Sequence, residues 1–582
     1  MAELTRRDLL RASAATAGAA WLPAGVFADE APGVFRGDPV GVLGDDPPPG
    51  FPAGVDVHRE VYENWAGEIR VASLWTCVPR TAAEVVAAVN WAHAAGWKVR
   101  PRGYRHGWAP LTVTGATDPA APVLLVDTTR HLTAMSIEPG PVPGSSAVRV
   151  GAGASMDDLL AFLEANGLGV TNTPAPGDLS VGGVLAINGH GTSVAAAGET
   201  LPPGHTYGTL SNLVLSLTAV VWDPSTGRYV LNTFNRGDPL GSALLTHVGR
   251  AFVTEAVLRV GADHNLRCVS HVDVPAAELF GPPGAPGRTY ARYVDEGGRV
   301  EAIWFTNTTK PWVKVWSVSP ERPLTSRPAV APYNYPFSDN VPEAVSDLAE
   351  RLLAGEWELT PTFGRLQYTV AAAGLTATLS SDLWGPSKNL LLYVKPTTLR
   401  ETANGYAVLT SRASIQRVVH EFAVYHERSV AAYQARGLYP VTGQVEVRVA
   451  GVDRAADCGV PGAAPPALSA ARPRADHPEW DVVVWFDVLT FPTAPGAHAF
   501  YRDMERFFLD TYQGYAAVRA EWSKGWGYTT TAAWADLPFV TGTVPDSYRQ
   551  GPDPTWDSAV DVLNMFDPHR VFTNPFLDVL LA

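Results

Sequence analysis

The stretch Val99 to Val113, VRPRGYRHGWAPLTV, places His106 between Arg105 and Gly107 in a turn rich in glycine and arginine. Apolar residues approach the turn and follow it, so His106 is expected on a tight connection and not in a packed helix. A turn this polar binds something or faces water. A second run, PGDLSVGGVLAINGHGTS at 176–193, carries glycines whose missing side chains let backbone N–H groups close on phosphates. Alone, it also fits a glycine-rich bulge in a sheet. In QVEVRVAG, Glu446 and Arg448 alternate with Val445, Val447 and Val449, so on a strand the charges share one face and the valines the other. Such a pair is either a solvated face or a base beside a fixed cation. Asp487 interrupts the apolar run VVVWFDVLTF, as a structural acid or a group facing a cavity.

The elements that must position these residues alternate. TAAEVVAAVNWAHAAGW has helical spacing, PVLLVD and AVRVGAG read as strands, and SMDDLLAFLEANG reads as a helix capped by Ser155 and stopped by Gly167. LVLSLTAVVWD, RYVLNTF and FVTEAVLRV follow as strands. VRVGAGASMDDLL invites a dinucleotide-fold reading, but Met156 stands where a third glycine is needed and no strand-end acid follows. After the breaker cluster FGPPGAPGR come RVEAIWF, WVKVWSV, NLLLYVKP, VEVRVAG and DVVVWFDVLTF as strands. Among them lie helices such as VPEAVSDLAERLLAG and AHAFYRDMERFFLDTY. GVPGAAPPALSAARPRADHPEW is expected outside the core, as a mobile lid or surface insertion.

At 582 residues two domains or one large composite are expected. The net charge of −14 argues against nucleic-acid or anionic-membrane partners. Three scattered cysteines exclude a disulfide framework and a thiolate metal site, and no metal is expected. The amino terminus, TRRDLLRASAATAGAAWLPAGVFA, resembles a twin-arginine export signal ending at Ala28, which predicts a secreted protein with no membrane span in its mature part. A Pro/Gly-rich lead-in follows over 29–51.

Taken in order, PRGYRHGW, the 176–193 run, YGTLSNLVLSLTAVVWDP, VGRAFVTEAVLRV and the closing MFDPHRVFTNPF resemble the vanillyl-alcohol-oxidase type of FAD proteins. RVEAIWF, KPWVKVW, VEVRV and WSKGWGYTTTAAWAD resemble the covalent-flavin, or class II, cholesterol oxidases, with a likeness over nearly the whole mature chain. The resemblance implies an α+β, two-domain, PCMH-like fold with a large antiparallel sheet backed by helices in its second half. It places the FAD-binding domain at 52–270, the substrate domain at 271–545 and a return to the FAD domain at 546–582. It further implies FAD joined through a single 8α-histidyl link to His106. The cofactor lies among Arg102, Gly103, Tyr104, Arg105, Gly107, Gly182, Gly183, Asn188, Gly189, His190, Gly191, Gly208, Val253 and Asn574.

Glu446 is then the base for a secondary hydroxyl, and Arg448 stabilises negative charge on substrate oxygen or reduced flavin. Glu301 matches a second carboxylate, expected to move the proton in the isomerisation or else to act as a gate against Arg448, with Glu296 only five positions away as the alternative. Asp487 becomes a tunnel candidate. The expected reaction is oxidation of cholesterol or another 3β-hydroxysterol, with oxygen reduced to hydrogen peroxide and the product isomerised to the 4-en-3-one. An alcohol or sugar oxidase of the same fold, or a flavin-bearing binding or electron-transfer protein, are the alternatives.

Overall fold

A computed structural model describes residues 46–335, 342–395, 398–550 and 555–582; the export segment and most of the lead-in lie outside them. Among the described residues, three sheets organise the chain. The first takes Asp56–Glu63, Arg70–Val78, Val123–Asp127 and Lys98–Arg102 in that spatial order. Its first pair is antiparallel and the others parallel. The helix Ala82–Ala95 begins where the Thr81 side chain accepts from the Glu84 amide and stops at Gly96, whose φ of 74° is the left-handed region that suits glycine.

The second sheet is antiparallel, in the order Met135–Pro139, Ser146–Gly151, Phe252–Ala262, Val214–Asp223 and Arg228–Asn235, with the short strand Leu168–Gly169 also paired to Phe252–Ala262. The helix Met156–Ala165 follows Ser146–Gly151, capped by Ser155 as expected.

The third sheet has nine strands, ordered Arg327–Pro328, Asp382–Pro386, Asn265–His271, Trp312–Val318, Arg299–Phe305, Gln444–Gly451, Val482–Thr490, Thr402–Thr410 and Ala516–Ala520. Only the pair at the Arg327–Pro328 edge is parallel. One face of its centre presents Val445, Val447, Val484, Phe486 and Val408 to the helices Ile415–Gln434 and Ala497–Thr511. Phe422 and Phe508 stand 4.4 and 5.4 Å from the Phe486 ring. With the valines committed to that face, strand alternation forces Glu446, Arg448 and Asp487 onto the other.

Three expectations change. NLLLYVKP is not a strand: Ser387–Leu391 is a short helix following Pro386, and an irregular segment follows it. A continuous apolar run carries no period, so burial on all sides fits a helix as well as a strand. GVPGAAPPALSAARPRADHPEW is not a lid, since Ala467 to Arg472 are at most 3% exposed. Arg519 donates to the Ala470 and Arg472 carbonyls, and the Trp522 indole to that of Leu468, so backbone groups a loop would leave to water are satisfied internally. The second half also begins earlier than 271, because Asn265–His271 already belongs to the nine-stranded sheet. The carboxyl-terminal segment returns to the first sheet, where the Val99 amide donates to the Val571 carbonyl and Arg100 to that of Phe572.

Candidate active site

A cavity of about 370 Å³ lies between the glycine-rich segments and the polar face of the nine-stranded sheet. One wall is Arg102 to Gly107, Gly182, Gly183, Asn188 to Gly191 and Val253; the other includes Glu401, Gln444, Glu446, Arg448, Asp487, Glu521 and Lys524. The run NGHGTS joins the halves. Thr192 donates its hydroxyl to the Val300 and Val449 carbonyls, and the Gly451 amide donates to Ser193.

The His106 turn is held from several sides. Arg105 has a φ of 67°, a conformation costly for a non-glycine residue, and its carbonyl accepts from the Trp65 amide. Trp65 stacks on the His106 imidazole at 4.4 Å, and His106 Nε2 meets Asp178 at 2.6 Å. The Ser523 carbonyl accepts from the amides of Trp108 and Ala109, and the Trp108 indole donates to the Glu401 carbonyl at 2.8 Å. Substrate-half residues thus fix the turn that presents the histidine.

Not every residue expected at the cofactor faces the cavity. Gly208 is packed against Asp453 and Val452, and its carbonyl accepts from Asn172. Asn574 caps Pro575–Leu580 and donates to the carbonyls of Pro110, Leu111 and Thr112, so it fastens the chain after His106 from behind. The Asn188 side chain also points away, accepting from the Ala470 amide, although the residue borders the cavity.

Arg448 organises the opposite wall. Its guanidinium donates to Glu301 at 2.7–2.8 Å, to Asp487 at 2.8 Å and to Glu446. Register explains the meeting: Glu301 pairs with Arg448 across one strand boundary, and Glu446 with Asp487 across the next. Glu301 sits behind this wall, at 1% side-chain exposure, held by the Tyr393 hydroxyl at 2.7 Å and Lys314 at 3.2 Å. Burial works against its charge, yet Lys314 and Arg448 hold it below the usual carboxylate range. It does not border the cavity, whereas Tyr393 and Arg448 do, so it is a positioning residue for the guanidinium. Glu296 is not the alternative, because it forms an exposed pair with Arg292.

Glu401 was missed by sequence reasoning. It borders the cavity, its Oε1 is buried without a partner, and burial together with the nearby Glu446 raises its carboxyl to about 8. It stands just ahead of Thr402–Thr410, outside any motif, and nothing in its sequence context distinguishes it.

The donors fit FAD. Gly103 and Gly182 come so close to their neighbours that a Cβ would lie 2.2 Å from the Ser180 Oγ and 2.9 Å from the Ala152 Cβ, and both border the cavity beside the buried, unpartnered Thr173 hydroxyl. Backbone brought this close, with an orphan donor, suits an elongated phosphate-bearing group.

Comparisons with known proteins agree with the geometry. Residues 75–224 match the family described as FAD binding domain, and residues 265–582 the family described as cholesterol oxidase, substrate-binding. A search of curated proteins finds no match. Among solved structures, a solvent-stable cholesterol oxidase shares 52% identity at a TM-score of 0.90, covering 92% of this chain and 100% of that one. Cholesterol oxidase from Brevibacterium sterolicum shares 44% identity at a TM-score of 0.90, covering 92% of this chain and 99% of that one. A histidine-to-alanine variant from the same organism shares 45% identity at 0.89 over the same shares. With the substrate-binding family spanning more than half of the chain, and FAD-type and sterol-type halves meeting at one cavity, the chain belongs to the FAD-dependent cholesterol oxidases.

Proposed function

We propose that this enzyme oxidises the 3β-hydroxyl of cholesterol or a related sterol at the cavity between Glu446 and the His106 turn, with oxygen as the electron acceptor and hydrogen peroxide as co-product. The observation that carries the reading is the wall of Glu446 and Arg448 facing that turn across one cavity. FAD, when bound, accepts the hydride and passes electrons to oxygen. The chain's own residues manage the proton and the charge. Glu446 takes the hydroxyl proton while Arg448, which cannot lose its own, stabilises the negative charge that develops on oxygen.

His106 is the expected site of the single covalent link. Nε2 faces Asp178 at 2.6 Å, so Nδ1 is the ring nitrogen that would remain to bond the 8α position. Acid precipitation tests this directly: the wild-type pellet is expected to stay yellow, and His106→Ala to release its flavin to the supernatant. Colour retained in the variant pellet moves the link elsewhere.

Oxidation of a 5-en-3-ol leaves C4 protons between a ketone and a double bond, and moving one to C6 gives the conjugated 4-en-3-one. Glu401 supports that step better than Glu301, since it borders the cavity in a form poised near neutrality. Glu401→Gln is expected to lower enone formation relative to peroxide by roughly the 10²- to 10⁴-fold typical of a positioned acid or base. Ultraviolet absorbance followed alongside peroxide reads the ratio, and an unchanged ratio removes Glu401 from the step. Export through the twin-arginine segment belongs to the same reading and rests on the residues of that segment.

A further inference from the structure

Four carboxylates, Glu301, Glu446, Asp487 and Glu521, and three cations, Lys314, Arg448 and Lys524, make one buried cluster on the polar face of the nine-stranded sheet. Lys314 serves Glu301, and Arg448 serves Glu301, Glu446 and Asp487. Lys524 lies 3.4 Å from Asp487, acts on Glu521, and rests on the Trp108 ring at 4.3 Å. Buried charge needs compensation, so the excess carboxylate calls for a proton.

The position of that proton follows from which oxygens lack donors. Glu301 is held by Tyr393, Lys314 and Arg448, and Glu446 by Arg448 and Gln444. Asp487 takes Arg448 and Lys524 on Oδ2, but its Oδ1 is buried and receives nothing; Glu521 Oε2 is buried and unserved as well. Both orphan oxygens converge on Gly405, where an added Cβ would lie 2.8 Å from Asp487 Oδ1 and 2.9 Å from Glu521 Oε2. The two side chains lie within hydrogen-bonding reach of each other, and unserved carboxylate oxygens so placed repel unless a hydrogen joins them.

We propose that Asp487 and Glu521 share one proton, and that this acid–carboxylate pair balances the cluster and, through Arg448, sets the charge that Glu446 meets. Every element around the pair contributes to its balance. Arg448 and Glu446 come from Gln444–Gly451, Gly405 from Thr402–Thr410, Lys524 from the segment after Ala516–Ala520, and His190 from the glycine-rich run, with Nε2 3.6 Å from Glu521. Burial, with Glu521 beside it, raises Asp487 to about 8. Glu521, equally buried, is held at about 2 chiefly by Lys524. The proton therefore resides on Asp487, with Glu521 as acceptor.

Infrared difference spectra of the resting holoenzyme, recorded across an alkaline titration in water and in D₂O, test the pair without turnover. The carbonyl stretch of a protonated carboxyl is expected at neutral pH and lost through about 8. Asp487→Asn removes this band. Glu521→Gln also removes it, because Asp487 then ionises beside Arg448 and Lys524. Glu401→Gln removes a second band and leaves the first, which separates the two raised carboxyls. A wild-type spectrum with no such band overturns the proposal; so does a band intact in Asp487→Asn.

The effect on Glu446 rests on the function proposed above and is read separately. Sterol-driven flavin reduction in Asp487→Asn is expected to lose the alkaline limb of its pH profile, and an unaltered limb overturns the coupling. If sterol reduces the flavin in no variant and not in the wild type, the function fails while the infrared result still decides the pair.

Discussion

Glu446→Gln is expected to slow anaerobic flavin reduction by sterol by roughly 10²- to 10⁴-fold, the loss typical of a positioned general base. Glutamine keeps the shape of the side chain and can still accept from Arg448 and Gln444, so what it removes is basicity. Arg448 keeps Glu301 and Asp487 as partners, which leaves the guanidinium paired and the wall in place. Stopped-flow bleaching of the flavin reads the rate, and unaltered flavin absorbance in the resting variant shows that the fold survives. A wild-type rate assigns the hydroxyl proton to another base.

Asp567→Ala is expected to destabilise the protein by about 3–5 kcal/mol, the cost of stripping the partner from a buried charge. Asp567 is 1% exposed and accepts from Arg250, from the Tyr229 hydroxyl and from the amides of Val571 and Phe572 at 2.8 and 2.9 Å. Its loss leaves Arg250, itself 1% exposed, with no carboxylate, and releases the segment that returns to the first sheet. A large fall in the denaturant midpoint is the expected result. Asp567→Asn, which keeps the acceptor and removes the charge, should fall between alanine and wild type. A midpoint unchanged in alanine would mean that the segment docks through Phe572 and its apolar neighbours alone.

Local patterning carried much of the outcome. The alternation of valines with Glu446 and Arg448 assigns them to opposite faces of a strand whatever the strand packs against, because the side-chain period is two. Thr81, Ser155 and Gly96 mark helix ends through bonds and angles that involve only neighbouring residues. The ordered motifs pointed to the FAD-type half through their resemblance to a known family, and their glycines suit it because a backbone that must approach phosphates tolerates few other residues.

Long-range contacts decided the rest. Whether NLLLYVKP is helix or strand, and whether Leu468 is core or surface, depends on what surrounds each segment, which neither composition nor period encodes. Glu301 and Glu401 look alike as isolated glutamates, and only the tertiary structure puts one behind Arg448 with Lys314, by strand register, and the other at the cavity with an unserved oxygen. Asn574 and Gly208 sit in motifs of the cofactor half, yet one braces the chain after His106 from behind and the other packs on Asp453. The sequence by itself determined which residue types could do the chemistry and which way each strand turns them. The tertiary structure alone decided which carboxylates meet a cation, because a carboxylate's charge state is set by partners and burial contributed by strands far apart in the chain.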